Sequence, residues 1–324
     1  MIMPTLQSGA QFVCVIVLNW NGRRLLRTCL ESIFSRTSYP NFQVIVVDNA
    51  STDGSVDMVI NEFPMAKLIV NPENLGFAGG NNRGIEWGLQ RGAQYVLLLN
   101  NDVEIIECDW LTRMITLAEA HPRMGMVGPK LVYPDGSFQT SALSGDPRSR
   151  RGMFGMTEAF PSEAGSPERV TLLRGSALLI RARLISDVGL FDEGYSLAFF
   201  EDEDYCFRVR RASYDVVYYP KVTVVHRGAA TTSKLPTYLF NLLGYRNMIR
   251  FAVLNLSGSW LTSCFLVLIV SVFFAKKDPH KPIWLSNLKA REDLAIHVRA
   301  LLAAFNSSLR ALPGLLALRR QRFA

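Results

Sequence analysis

The sequence is missing several signatures, and each absence removes a class of protein. None of its five cysteines, Cys14, Cys29, Cys108, Cys206 and Cys264, stands in a CxxC pair. That argues against a zinc site. Most of them sit in apolar runs, which predicts buried free thiols in a reducing compartment rather than a disulfide framework. The N-terminus has no basic stretch followed by an apolar core and a cleavage site, so no secretory signal is expected. There is no internal repeat and no low-complexity tract. The one Gly-rich stretch, Asn74-Leu75-Gly76-Phe77-Ala78-Gly79-Gly80-Asn81-Asn82, is not G-x-G-x-x-G and does not follow the first strand, which weakens a dinucleotide-binding reading.

The chain has 324 residues, 49% of them apolar, enough for one large domain or two small ones. A net charge of +7 suits an anionic partner: a nucleotide, a nucleic acid or an anionic lipid surface. Composition alone does not choose among these.

The stretch Tyr95-Val96-Leu97-Leu98-Leu99-Asn100-Asn101-Asp102-Val103 organises the rest. A continuous apolar run of this length predicts a strand buried on both faces, as in a parallel α/β sheet. It ends on Asn-Asn-Asp, which is turn chemistry but also a place to hold a hard cation against phosphates. Before it, apolar runs at Phe12–Leu18, Gln43–Val47 and Ala66–Val70 alternate with helical patterns at Arg23–Arg36 and Ser55–Phe63. The segment 71–80 reads as a Gly/Asn-rich loop leading into a further helix. This alternation predicts βαβ units and a parallel sheet. Asn19, Asn21, Asp48 and Asp102 then fall at strand ends on one edge, where open α/β sheets bind ligands.

Further on, Trp110–Ala120 reads as a helix, Gly125–Val132 as a strand, and Pro134–Ser166 as a long surface loop. Thr171–Arg181 reads as a strand interrupted at Arg174-Gly175-Ser176. Val216–Tyr219 and Val222–His226 read as two strands separated by Pro220. The run Glu201-Asp202-Glu203-Asp204 lies between Phe199-Phe200 and Tyr205-Cys206-Phe207. Acids in apolar surroundings are costly unless they serve a site, so one is a candidate general base. Pairing with Arg208, Arg210 and Arg211 is the structural rival. His226, at a strand end, is a candidate metal ligand, although a lone histidine is more often structural.

Together these pieces resemble the family 2 glycosyltransferases, which have the GT-A fold, and in particular their rhamnosyltransferase-like branch. The matching text is Val15–Gly22, Val46–Ser55, Asn74–Asn81, Leu99–Asp102 and Glu201–Asp204 with Arg208. The resemblance implies an α/β GT-A fold with a mostly parallel central sheet. The catalytic domain would span residues 1–235, with a nucleotide-binding half at 12–103 and an acceptor half at 104–235. It implies nucleotide binding by Asn19, Asn21 and Asp48, with Gly76, Gly79, Asn82 and Asn100 added to that set. It implies Mg2+ or Mn2+ held by Asp102 and His226, with Asn100 replacing the first acid of the metal motif. Asp202 would be the catalytic base, with Glu201 as runner-up. The implied reaction is inverting transfer of rhamnose or a similar sugar from a dTDP- or UDP-sugar.

Residues 236–324 read as a helical, membrane-associating extension. Phe251–Ala275 carries no charged residue, and 294–305 repeats an amphipathic pattern (Leu294, Ile296, Val298, Leu301, Leu302, Phe305). A surface-seated module is preferred, a single span is the near rival, and packing onto the catalytic domain or a second subunit is the alternative. The expected partners are a nucleotide-sugar, a lipid-linked or glycan acceptor and a membrane surface, with no nucleic acid. The expected place is the cytoplasmic face of the inner membrane. Two other classes stay open: a nucleotidyltransferase, and a non-catalytic nucleotide-binding or scaffold protein.

Overall fold

The computed structural model describes residues 9–139, 142–143, 165–228, 235–256 and 294–323. The first half alternates as predicted: β1 (Val13–Asn19), α1 (Arg23–Arg36), β2 (Phe42–Asp48), α2 (Ser55–Glu62), β3 (Lys67–Val70), α3 (Gly76–Gln90) and β4 (Tyr95–Asn100). Their strands pair in parallel in the order β3-β2-β1-β4. Val13–Val17, Val44–Val47 and Tyr95–Leu99 are almost wholly buried, as a sheet covered on both faces requires.

The second half mixes directions. After β5 (Val103–Ile105) and α4 (Trp110–Ala120) come β6 (Met124–Val132), β7 (Phe138–Gln139), β8 (Ala142–Leu143), β9 (Glu168–Arg169), β10 (Leu172–Leu173) and β11 (Ala177–Arg181). Strand β11 inserts antiparallel between β4 and β6. Then follow α5 (Ala182–Val188), α6 (Glu201–Arg211) and β12 (Asp215–His226). Strand β12 runs parallel to β6 and antiparallel to β5, completing the order β4-β11-β6-β12-β5.

Three expectations need correction. The Gly/Asn-rich segment is not loop to Gly80: α3 begins at Gly76, whose N–H is accepted by Asn74 Oδ1 at 2.9 Å. Its glycines seat the helix on the sheet. A Cβ on Gly80 would lie 2.4 Å from Leu18, one on Gly84 2.6 Å from Ile16, and one on Gly88 2.8 Å from Cys14. Glycines four apart thus face β1 residues two apart, and the two backbones approach closely. Second, β12 is one strand, and Pro220 sits in a register shift between Tyr219 and Thr223. A bulge is a place where a strand tolerates a residue with no N–H to donate. Third, Cys108 is exposed, whereas Cys14, Cys29 and Cys206 are buried free thiols. Cys264 lies outside the described residues.

The extension starts with α7 (Thr237–Asn255) and ends with α8 (Leu294–Phe323), which has Pro313 inside it. The uncharged stretch beyond Leu256 lies outside the described residues. Helix α8 packs along α7 and shares a buried cluster with Tyr195 and Phe200. Ala295–Arg322 is long and apolar enough to cross a membrane. Yet Arg319 donates to the Val253 carbonyl and Arg322 to Asp192 and Asp204, so its last turns are tied to the body of the protein.

Candidate active site

The carboxyl ends of β1, β2 and β4 are joined by side chains. Asn19, fully buried, donates to Asp48 Oδ2 at 2.8 Å and accepts from Asn101 Nδ2 at 2.7 Å. The other oxygen, Asp48 Oδ1, accepts the Ser51 N–H at 2.7 Å. Asn21, at φ 50°, donates its N–H to Ser51 Oγ and accepts the Thr52 N–H, both at 2.8 Å. A Cβ on Gly22 would lie 2.2 Å from the Asn101 amide nitrogen, so only glycine admits that amide. Asn101 and Ser51 were not singled out from sequence as site residues. The spacing of Asn100-Asn101-Asp102 placed Asn101 in the motif, and the side-chain bond to Asn19 gives it a role.

Asp102 follows β4, and His226 ends β12. Pairing of His226 with Val103 across the β12–β5 ladder brings His226 Nε2 to 3.2 Å from Asp102 Oδ1. Both residues are buried. His226 Nδ1 lies 2.6 Å from Gln139 Oε1, which orients the ring with Nε2 toward Asp102. An imidazole nitrogen and a carboxylate oxygen placed this way can serve as neighbouring ligands of one cation. This donor set fits Mg2+ or Mn2+ with the remaining places taken by water and phosphate oxygens. Among the described residues no cluster of three or more histidine, cysteine or acidic side chains could hold a metal without such outside oxygens.

The acidic run starts α6. Asp202 Oδ2 accepts the Gly175 N–H at 3.0 Å. The next residue, Ser176, accepts the Asn100 N–H through its carbonyl at 3.0 Å. The interruption at Arg174-Gly175-Ser176 therefore bridges the acidic helix to the end of β4. Glu201 is buried and its Oε2 has no hydrogen-bond partner among the described residues. Burial, then the charge of Asp202, pushes its carboxyl well above the usual carboxylate range. Glu203 is pushed up in the same way. In Asp204, burial alone would raise the carboxyl, but Arg208 and then Arg322 outweigh it and hold it below the usual range. Arg208 does pair with the run, at 2.8 Å from Asp204, and leaves Asp202 clear.

Gly76, Gly79 and Asn82 face the segment between α5 and α6. A Cβ on Gly76 would lie 2.6 Å from the Leu197 nitrogen, and one on Gly79 3.7 Å from the Glu193 carboxylate. Asn82 donates to the Phe191 carbonyl and Glu193 Oε1, both at 2.9 Å, and accepts the Phe191 N–H at 3.1 Å. Asn100 is half-buried at the open end of β4.

Residues 14–166 match the model of Glycosyl transferase family 2. An N-acetylglucosaminyl-diphospho-decaprenol L-rhamnosyltransferase of Mycobacterium tuberculosis is 30% identical over 246 residues, 68% of this chain and 78% of that relative. A Sinorhizobium fredii protein of uncharacterised function is 31% identical over 238 residues, 69% of this chain, which spans only 25% of that relative's length. Among solved structures, GalNAc-T7 with UDP, GalNAc and Mn2+ matches at TM-score 0.59 and 13% identity, over 95% of this chain and 58% of that one. S. aureus TarS matches at TM-score 0.56 and 16% identity, over 96% and 88%. At such identities the likeness is one of fold, the GT-A architecture. With the relative of Mycobacterium tuberculosis covered over most of its length, the chain belongs to family 2 of the glycosyltransferases.

Proposed function

We propose that this protein moves a sugar, rhamnose or a related hexose, from a dTDP- or UDP-sugar to a hydroxyl of a lipid-linked or polysaccharide acceptor, with inversion at the anomeric carbon. The observation that carries this reading is the facing pair Asp102–His226 at the strand edge that also anchors Asp202 through Gly175 and Ser176. The named activity of the relative of Mycobacterium tuberculosis supports the sugar and the lipid-linked acceptor. The UDP and Mn2+ of the GalNAc-T7 structure support a nucleotide donor and a divalent ion.

In this reading Asn19, Asn21 and Asp48 shape the pocket for base and ribose, with Gly76, Gly79 and Asn82 behind it and Asn100 at its mouth. Asp102 and His226 hold Mg2+ or Mn2+, which when bound offsets the charge growing on the departing diphosphate. Asp202 takes the proton of the acceptor hydroxyl. The freed oxygen lone pair attacks the anomeric carbon on the face opposite the diphosphate. The bond to the diphosphate oxygen breaks with its electron pair, and the configuration inverts. Glu201, which retains its proton to higher pH, lines the same helix end. Residues 1–235 form the catalytic unit and 236–324 the extension that seats it on the cytoplasmic face of the inner membrane. Leu302, Leu309 and Leu316, seven residues apart along α8 and 64%, 56% and 42% exposed, support a lipid-facing stripe.

The test is Asp202→Asn with the donor found by thermal shift against nucleoside diphosphates and their sugars, with and without Mn2+. The expected result is a kcat lower by ~10²–10⁴-fold with the donor-induced shift kept. Transfer at the wild-type rate removes Asp202 as base. A shift without turnover in the wild type favours a nucleotide-binding scaffold instead.

A further inference from the structure

Helix α8 ends inside the catalytic body. One guanidinium nitrogen of Arg322 lies 2.7 Å from Asp204 Oδ1, and another lies 2.7 Å from Asp192 Oδ2. Asp204 stands two residues after Asp202 on α6. At 3.6 residues per turn, such neighbours point to nearly opposite sides of a helix. Asp202 faces Gly175 and the sheet edge, while Asp204 faces the back and is fully buried. There it also accepts from Tyr195 Oη at 3.1 Å, Asn255 Nδ2 at 2.8 Å and Arg208 Nε at 2.8 Å. Asp192, in the segment between α5 and α6, is held by Arg250 of α7 at 2.8 Å. A Cβ on Gly194 would lie 2.1 Å from the Arg250 guanidinium, so the chain is kept small where that arginine passes.

Two acids thus meet three arginines. Arg208 with Asp204 and Arg250 with Asp192 already make one-to-one pairs, so neither carboxylate needs Arg322 for neutralisation. What Arg322 adds is a bridge. Its planar fork reaches both carboxylates at once, which a lysine ammonium on a flexible stem does not reproduce.

We propose that Arg322 is a positioning residue for sugar transfer: by bridging Asp192 and Asp204 it fixes α6, and with it Asp202, so that full turnover requires α8 to be seated. This rests on the reading of Asp202 as the base.

The experiment uses the full chain carrying Arg322→Gln or Arg322→Lys, with Arg320→Gln, an exposed arginine of the same helix, as control. Three quantities are read: kcat, donor KM, and amide hydrogen exchange along α6. Both Arg322 variants are expected to lose about 10- to 100-fold in kcat, as small displacements of a reacting group do. Donor KM is expected to stay within about twofold, the sign of an interaction that does not bind donor. Exchange along α6 becomes faster, and the control matches the wild type. Unchanged kcat in both variants overturns the proposal, as does full recovery by lysine, which would show that charge alone suffices. If the glutamine variant fails to fold, the lysine variant, which keeps the charge, carries the test. If the wild type turns over no donor, the transferase reading falls and exchange alone decides the bridge: exchange as in the wild type overturns it, and faster exchange supports it.

Discussion

Glu201 and Asp204 share the first turn of α6, and their surroundings act on them in opposite directions. Burial raises Glu201 with no cation to offset it, whereas Arg208 and Arg322 lower Asp204 against its burial. The signs carry into stability. Below about pH 4, near the unfolded value for glutamate, folded and unfolded chains both hold the Glu201 proton and folding is not penalised. As pH rises, the unfolded chain releases that proton first and stability falls toward the folded value. Glu201→Gln is therefore expected to have a higher Tm than the wild type at pH 7, with the gain closing as pH falls toward about 4. Asp204 contributes stability that is present above about pH 4 and lost as pH falls through its lowered folded value. Asp204→Asn is expected to lower Tm at pH 7, with that deficit shrinking in acid. Melting curves across pH 3–8, about the range spanned by the carboxylate values, check both signs. The acidic run itself was legible in the sequence. The division of labour within it was legible only in part: Arg208 stands four residues from Asp204 on the same helix, whereas Arg322 is more than a hundred residues away.

The turn into α6 is built from residues that dislike their own backbone. Leu197, Phe199 and Phe200 have φ of 68°, 80° and 70°. Bulky side chains avoid that region, and each such residue costs on the order of 1–3 kcal/mol unless neighbours impose it. Helix α7 imposes it here. Asn247, fully buried, donates to the carbonyls of Ala198 at 2.7 Å and Phe199 at 3.0 Å. From the other side, the Phe77 N–H at the start of α3 donates to the Leu197 carbonyl at 3.1 Å. Asn247→Leu leaves two carbonyls without that donor and is expected to lose about 1–3 kcal/mol in urea unfolding, with kcat reduced as Asp202 loses its anchor. Unchanged stability would show that α7 merely accompanies the strained turn. At this scale the sequence reads well where periodicity speaks, in the βαβ half and in α4. It reads poorly where glycine carries two meanings. Gly76 and Gly79-Gly80 look like loop chemistry, and only the close seating of α3 on β1 shows that Gly80, Gly84 and Gly88 are a packing face. Positive φ at leucine and phenylalanine has no sequence signature at all.

Over the whole molecule, the extension packs onto the body that carries the acidic helix. The far end of α8 is pinned by Arg322, and its outward leucines run along the middle. Leu302→Glu with Leu309→Glu is expected to leave Tm unchanged and to weaken sedimentation with anionic vesicles by about 100-fold or more, since each buried leucine contributes about 1.5–3 kcal/mol. Equal sedimentation would remove this stripe as a lipid contact. The role of Arg322 was hidden for a simple reason: in Arg319-Arg320-Gln321-Arg322 it looks like any basic terminus, and nothing local distinguishes it from Arg320. Strand β12 joins distant parts in a similar way. It lies along β6 on both sides of the shift at Tyr219–Thr223, and its last three residues pair with β5 as well. Val222, Val224 and His226 share one face of that last stretch. Losing a single residue between the shift and His226 would rotate the imidazole to the other side of the sheet, away from Asp102. Length is thus under tighter control than identity in this stretch: substitutions at Lys221 or Thr223 leave the imidazole in place, and one-residue deletions do not.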